Sequence, residues 1–222
     1  MKSSSLTLAA TAAFFLSAIP SLAATVMFDD FDTNPQLAVD GAGIGESNVS
    51  SVAFGTGQRI LTATNSQQSG SNDIGDTQLE IDAGSLSFSN VAGATGSGEL
   101  QYTNVGDISE GADPFFLFDV GYFDNVAQFT ATAIDTDGNE STYTELLQPG
   151  FDPQLYFAEF TGSADFNDLA TLSFSISTTG GQISVDGTLN SISISAIPLP
   201  AGGLLLIAGL GGLAALRRKK RA

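Results

Sequence analysis

Asp135-Thr136-Asp137-Gly138-Asn139-Glu140 sets carboxylate and amide oxygens at alternate positions around a glycine turn. Hard oxygen donors in that arrangement suit calcium, so Asp135, Asp137 and Asn139 are candidate ligands. As an EF-hand loop the run fails, because its glycine is fourth rather than sixth and its twelfth position is Leu146. A plain hairpin turn is the competing reading of the same residues. Asp29, Asp30 and Asp32 form a second acidic group near the N-terminal end. Paired carboxylates also carry out glycoside hydrolysis, at separations of roughly 5–10 Å. With 24 acids in the chain some such pair is unavoidable, so its presence singles out no catalytic residue. The chain has no Trp for sugar stacking, and its tyrosines are Tyr102, Tyr122, Tyr143 and Tyr156. No catalytic residue is assigned, and the protein is read as a non-enzyme.

Elimination narrows the chemistry further. The 222 residues include no Cys and no His. That removes thiol catalysis, a disulfide framework, a Ser-His-Asp triad and a Cys/His zinc centre. Lys2 stands at one end and Arg217, Arg218, Lys219, Lys220 and Arg221 at the other, so Arg59 is the only basic residue between 24 and 197. All 24 Asp and Glu lie in that stretch, which therefore carries 23 net negative charges. A single cation among 24 acids cannot neutralise a run of phosphates, and nucleic acid is excluded as a partner.

The two ends read as targeting segments. Met1-Lys2 followed by the largely apolar run Leu6–Leu16 has the layout of a secretory signal. Ser21-Leu22-Ala23 supplies small residues at its end, which places cleavage after Ala23 and makes 1–23 the signal peptide. At the other end Ile197, Pro198, Leu199, Pro200 and Ala201 precede an uncharged run that ends at Leu216, followed by the basic cluster 217–221. The 17 residues of 200–216 would span about 25 Å as a helix, slightly less than a typical hydrocarbon core. The cluster would remain cytoplasmic by the positive-inside rule, leaving the acidic body across the membrane. Pro198 and Pro200 hold the residues before them extended, as a protease-like enzyme requires.

This Pro motif, hydrophobic helix and terminal Arg/Lys cluster resemble the PEP-CTERM class of bacterial sorting signals. Ile197–Ala201 is similar to its V-P-L-P-A variant, with Ile in place of Val. The resemblance implies recognition by an exosortase, a membrane transpeptidase of Gram-negative bacteria that make extracellular polysaccharide, and cutting near the Pro motif. It covers 197–222 and implies nothing definite about the body, residues 24–196.

The body alternates apolar residues with Ser or Thr, a half-buried strand pattern. Leu79–Asp82 and Leu86–Ser89 flank Gly84, and Ala127–Ala133 and Leu172–Ser177 alternate in the same way. Val49–Phe54 and Arg59–Ala63 are weaker strand candidates within a loop-rich stretch, 41–75. Phe115–Phe118 suits a strand buried on both faces. Turns are expected at Asp137-Gly138-Asn139, Thr179-Gly180-Gly181 and Asp186-Gly187. The sum is an all-β fold, an antiparallel β-sandwich that is jelly-roll-like, with an N-terminal signal peptide and a single C-terminal transmembrane helix. By analogy with carbohydrate-binding jelly rolls, which frequently hold a structural calcium, Asp29, Asp30 or Asp32 would meet Asp186 across the sandwich.

The expected function is that of an exported surface or matrix protein of structural or adhesive type, sorted by an exosortase and associated with extracellular polysaccharide. It is anchored in the inner membrane before processing. The alternative is a calcium-supported carbohydrate-binding module, and glycoside hydrolysis is a disfavoured third. C-terminal peptide mass analysis of the protein from its producing cell is expected to find a chain ending between Pro198 and Ala201. A chain still ending in Arg221-Ala222 would make the tail an ordinary anchor and remove the exosortase from the account.

Overall fold

Alternating strands can bury only the face that carries their apolar side chains, and here two sheets bury those faces against each other. The computed structural model describes residues 25–41, 47–66, 77–91, 93–109, 111–150, 153–178 and 184–197. The signal peptide, Pro198 onward in the sorting motif, the span 200–216, the basic cluster and the Gly180-Gly181 turn lie outside them. Among the described residues no helix is long and apolar enough to cross a membrane.

Residues Ala23–Pro198 form one compact unit. Its strands begin with β1 (Thr25–Asp29), β2 (Gln36–Asp40), β3 (Asn48–Phe54), β4 (Gly57–Asn65) and β5 (Thr77–Asp82). They continue with β6 (Ser85–Asn90), β7 (Gly96–Gly106), β8 (Ala112–Phe123), β9 (Ala127–Asp135) and β10 (Glu140–Leu147). β11 (Gln154–Tyr156), β12 (Thr161–Gly162), β13 (Leu169–Ser177) and β14 (Asp186–Ile197) follow. Sheet A runs β11-β8-β14-β6-β5-β2, with β1 also paired to β14, and sheet B runs β12-β10-β9-β13-β7-β4-β3. Every pairing is antiparallel.

Aromatic rings fill the middle of the sandwich. Phe118 of β8 stands edge-on to Phe174 of β13 and Phe129 of β9, with ring centroids 5.2 and 5.4 Å apart. Phe116 meets Phe174 edge-on at 5.3 Å. The fully buried Ala127, Ala131 and Ala133 give these rings room on β9.

Two expectations are corrected. Phe115–Phe118 is not buried on both faces: Phe116 and Phe118 enter the core, while Phe115 and Leu117 are half-buried on the outer face of sheet A. Asp186-Gly187 is not a turn but the start of β14, paired to Ser89 and Phe88 on one side. Its glycine serves packing, since a Cβ there would stand 2.4 Å from the Phe123 ring. An Asp-Gly pair signals a hairpin only when its own flanking strands pair with each other, and here they do not. The two weaker candidates are real strands, β3 and β4.

The buried Arg59 ties the sheets together. Arg59 on β4 is 0% exposed and Asp29 on β1 is 3% exposed. Nη1 of Arg59 donates to Oδ1 and Oδ2 of Asp29, at 3.0 and 2.9 Å. Nε donates to Gln36 Oε1 at 2.8 Å, and Nη2 donates to the carbonyls of Thr33 and Asn34 at 2.7 and 2.8 Å. The five N–H donors of the guanidinium therefore all have acceptors. Tyr102 of β7 donates to Asp29 Oδ2 at 2.7 Å. Burial above all, then the Asp29 carboxylate beside it, pushes the Tyr102 phenol well above its ordinary value.

Arg59→Met leaves Asp29 buried without its counter-charge, and urea unfolding is expected to show a loss of about 3–5 kcal/mol. A loss below about 1 kcal/mol would show that the cluster does not hold the sheets. Tyr102 adds a pH signature. Its raised folded value gives a contribution complete below the ordinary phenol value near 10 and lost as pH rises beyond it. That alkaline loss should be smaller in Tyr102→Phe.

Candidate functional site

The carboxylates singled out for calcium fall into separate places. Asp29 accepts from Arg59 at both oxygens, from the Phe31 N–H at Oδ1 and from Tyr102 at Oδ2. Asp135 closes the β9–β10 turn in the same manner. Its Oδ1 accepts the backbone N–H groups of Asp137 and Asn139 at 3.0 and 2.8 Å. Its Oδ2 accepts Asn139 Nδ2 at 2.9 Å and the Asp165 N–H at 3.0 Å. A carboxylate has about four lone-pair positions, and both groups fill them with protein donors. The Asn139 amide foremost, then the Asp165 N–H, holds the Asp135 carboxyl below its ordinary value.

The register also keeps the acidic groups apart, with Asp29 opposite Ile192 and Asp186 opposite Ser89. Asp30, Asp32 and Asp137 are exposed. Asp186 takes Asp124 Oδ1 on its N–H at 2.8 Å, while its own Oδ1 is buried without a hydrogen-bond partner. Among the described residues no three acidic side chains converge as a metal-holding group.

A different constellation lies on the outer face of sheet A, along β8. Phe115 and Leu117 stand half-buried there, with Asp119 and Tyr122 exposed farther along. β11 sets Tyr156 opposite Phe115 and Gln154 opposite Leu117. The Phe115 and Tyr156 rings lie 5.0 Å apart and tilted by 38°. On the other side β14 sets Ser191 opposite Asp119 and Thr188 opposite Tyr122. The strip has an aromatic pair at one end and Tyr122, 52% exposed, at the other. At about 3.3 Å per residue the two are roughly 20 Å apart.

Bulges shape the middle of the strip. The β8–β14 register shifts on both sides of Leu189, leaving Gly121 and Asn190 as the additional residues. A Cβ on Gly121 would stand 2.4 Å from Thr188 Oγ1 and 3.2 Å from Asn190 Oδ1. Glycine thus lets a hydroxyl and an amide lean over the strand between the aromatic ends. Apolar ring faces flanking a carboxylate, an amide and hydroxyls can stack on the C–H face of a ring-shaped polyol and accept from its hydroxyls.

Sequence reasoning assigned Phe115 to the core and left Asp119 unmarked. The available signal was Gly121 inside an apolar and aromatic run, since glycine within a strand marks a bulge or a close approach. Elsewhere, a cavity of about 550 Å³ beside β10 is lined by Glu145, Leu146, Gln148, Pro149 and Gly150. Tyr143 donates to Glu145, and burial together with that carboxylate pushes its phenol up to about 12.

No protein-family model matches the chain, and no curated protein does. Among solved structures it is similar to the family 11 carbohydrate-binding module of cellulosomal cellulase Lic26A-Cel5E of Clostridium thermocellum. That match has 14% identity and a TM-score of 0.41, over 78% of this chain and 95% of the other. A solution structure of the module CtCBM11 matches with 12% identity and a TM-score of 0.43, over 79% and 97%. An exo-beta-agarase matches with 13% identity and a TM-score of 0.40, over 79% of this chain and 25% of that one. PfGH50B has 13% identity and a TM-score of 0.39, over 55% of this chain, which spans 21% of its length.

The lowered value of Asp135 carries a pH expectation. Its stabilisation is complete above the ordinary carboxylate value near 4 and is lost as pH falls through the lower folded value. Asp135→Asn should therefore flatten the acid limb of a stability profile measured by urea unfolding. An unchanged acid limb would show that the turn does not depend on the ionised group.

Proposed function

We propose that the chain is an exported protein whose jelly-roll-like body binds polysaccharide through the β8–β11–β14 strip. The carrying observation is the placement of Phe115, Tyr156 and Tyr122 on one sheet face, flanking Asp119, Thr188 and Asn190. Aromatic faces supply area at low entropic cost and the polar groups between them supply hydrogen bonds, a division of labour suited to a sugar chain. The body's 23 net negative charges oppose an anionic polymer and favour a neutral one. Its role is adhesive or structural within an extracellular matrix, and no catalytic step is part of it.

Delivery rests on the ends of the chain. The signal peptide exports it, the tail holds it at the inner membrane, and an exosortase acts at Ile197–Ala201 on its way to the surface. β14 runs to Ile197, the first residue of that motif. A cut inside the motif would therefore leave every strand of the described residues intact.

Electrophoresis through gels containing neutral β-glucan tests the binding reading. Tyr122→Ala and Tyr156→Ala are each expected to weaken retention about tenfold, or about 1.4 kcal/mol. Binding that neither substitution alters would sink the assignment to this strip. Failure of the unaltered protein to bind neutral glucans would sink the functional reading itself.

A further inference from the structure

We propose that residues 25–27 of β1 form a clasp over the C-terminal processing site, and that they must peel from β14 before the tail can be cut. This rests on the exosortase reading above and adds a control that the body itself exerts on that step. β1 runs antiparallel to the end of β14, with Thr25 opposite Ser195, Val26 opposite Ile194 and Met27 opposite Ser193. β14 then ends at Ile197, the first residue of the Pro motif. The start of the body and the cutting site therefore lie side by side, although 170 positions separate Thr25 from Ser195.

The backbone chemistry of the motif gives this placement its consequence. An enzyme that cuts an extended segment grips it through main-chain N–H and C=O groups, as a strand is gripped at a sheet edge. Proline has no N–H, so Leu199 supplies the only main-chain donor in 198–200. The next donors upstream belong to residues 194–197, and both edges of that stretch are already occupied. On one side β8 sets Phe116 opposite Ile194, Phe115 opposite Ser195 and Ala112 opposite Ile197. On the other side lies β1. Ser195 and Ala196 are buried, and a Cβ on Gly111 would stand 2.4 Å from the Ala196 side chain, so the β7–β8 loop closes over them as well.

Of the two flanking strands, β1 is the one that can yield. β8 pairs with β14 from Gly187 to Ile197. β1 is five residues long, and among the described residues it pairs with no second strand. Thr25, Val26 and Met27 are exposed, so lifting them gives up little buried apolar surface. A register shift between Met27 and Asp29 leaves Phe28 as a bulge. Beyond it Asp29 stays fixed by Arg59 and Tyr102. The first three residues are held only by strand pairing and two side-chain contacts. The hydroxyls of Thr25 and Ser195 lie 3.1 Å apart, and Ser193 Oγ donates to Met27 Sδ at 3.6 Å. These residues lift about the bulge without disturbing the buried charge pair.

The chain has no Cys, so Thr25→Cys with Ser195→Cys places one removable crosslink across the clasp, where the two hydroxyls already meet. The test is pulse-chase labelling of the full chain in its producing cell, read by C-terminal peptide mass analysis. Crosslinking is expected to slow cutting by about tenfold or more, and dithiothreitol to restore it. Val26→Pro with Met27→Pro removes whichever of two successive N–H groups faces β14, and is expected to speed cutting about threefold. Urea unfolding checks that the crosslinked chain is as stable as the unaltered one; if it is not, the proline pair decides alone. A sound crosslinked chain cut at the unaltered rate overturns the clasp, as does a proline pair cut no faster, and both leave the exosortase reading standing. An unaltered chain that is never cut overturns that reading and the clasp together.

Discussion

A single buried guanidinium governs how the two sheets meet. Arg59 projects from sheet B toward a carboxylate on β1 and an amide on β2, both in sheet A. A charge in that position tolerates no half measures, because an unpaired buried ion costs several kcal/mol. Its last two donors need Thr33 and Asn34 carbonyls, so the β1–β2 loop must wrap inward to supply them. That wrap puts Phe31 at φ 58°, a conformation that costs a bulky residue about 1–3 kcal/mol. Replacing the cluster by apolar groups could yield equal stability, as buried ion pairs are seldom large net stabilisers. What apolar groups would not do is specify direction. Five donors on five acceptors accept one alignment of the sheets and penalise every other.

The aromatic packing between β8, β9 and β13 supplies the complementary part. Phe116, Phe118, Phe129 and Phe174 contribute large buried area with edge-to-face geometry, but rings can slide along one another at modest cost. The polar cluster sets register and the rings supply driving force. With both inner faces occupied, only the outer faces, where alternation places every second residue, remain open to a ligand. This explains why a strand as apolar as β8 contributes to two tasks: Phe116 and Phe118 serve the core, and Phe115 and Leu117 the surface.

Periodicity made the sandwich legible. The period-2 runs at 79–89, 127–133 and 172–177 fall in β5, β6, β9 and β13 with the expected faces buried. What periodicity could not reveal was partnership between distant strands. Asp29 and Asp135 look like cation ligands in sequence because carboxylates are written without their donors. Only the fold brings Arg59, Tyr102, Asn139 and Asp165 to their oxygens. Arg59 was visible as the one cation of the body, and alternation sets it on the face of Leu61 and Ala63, but no local signal supplies the Asp29 that lets a charge stay there. The strip on sheet A was hidden for a related reason. Phe115 and Tyr156 are 41 residues apart in sequence and meet only through the β8–β11 pairing.

Burying Arg59 also decides the character of the surface. It is the only basic residue of the body, so the solvent-facing groups of the sandwich include acids and no bases. An anionic polymer approaching within about 10 Å meets unscreened repulsion at ordinary ionic strength. A neutral polymer meets none, and its affinity rests on stacking and hydrogen bonds that salt scarcely alters. The same charge keeps copies of the body apart from one another. The arginine that aligns the sheets thereby also removes the one group through which the body could have attracted an acidic partner.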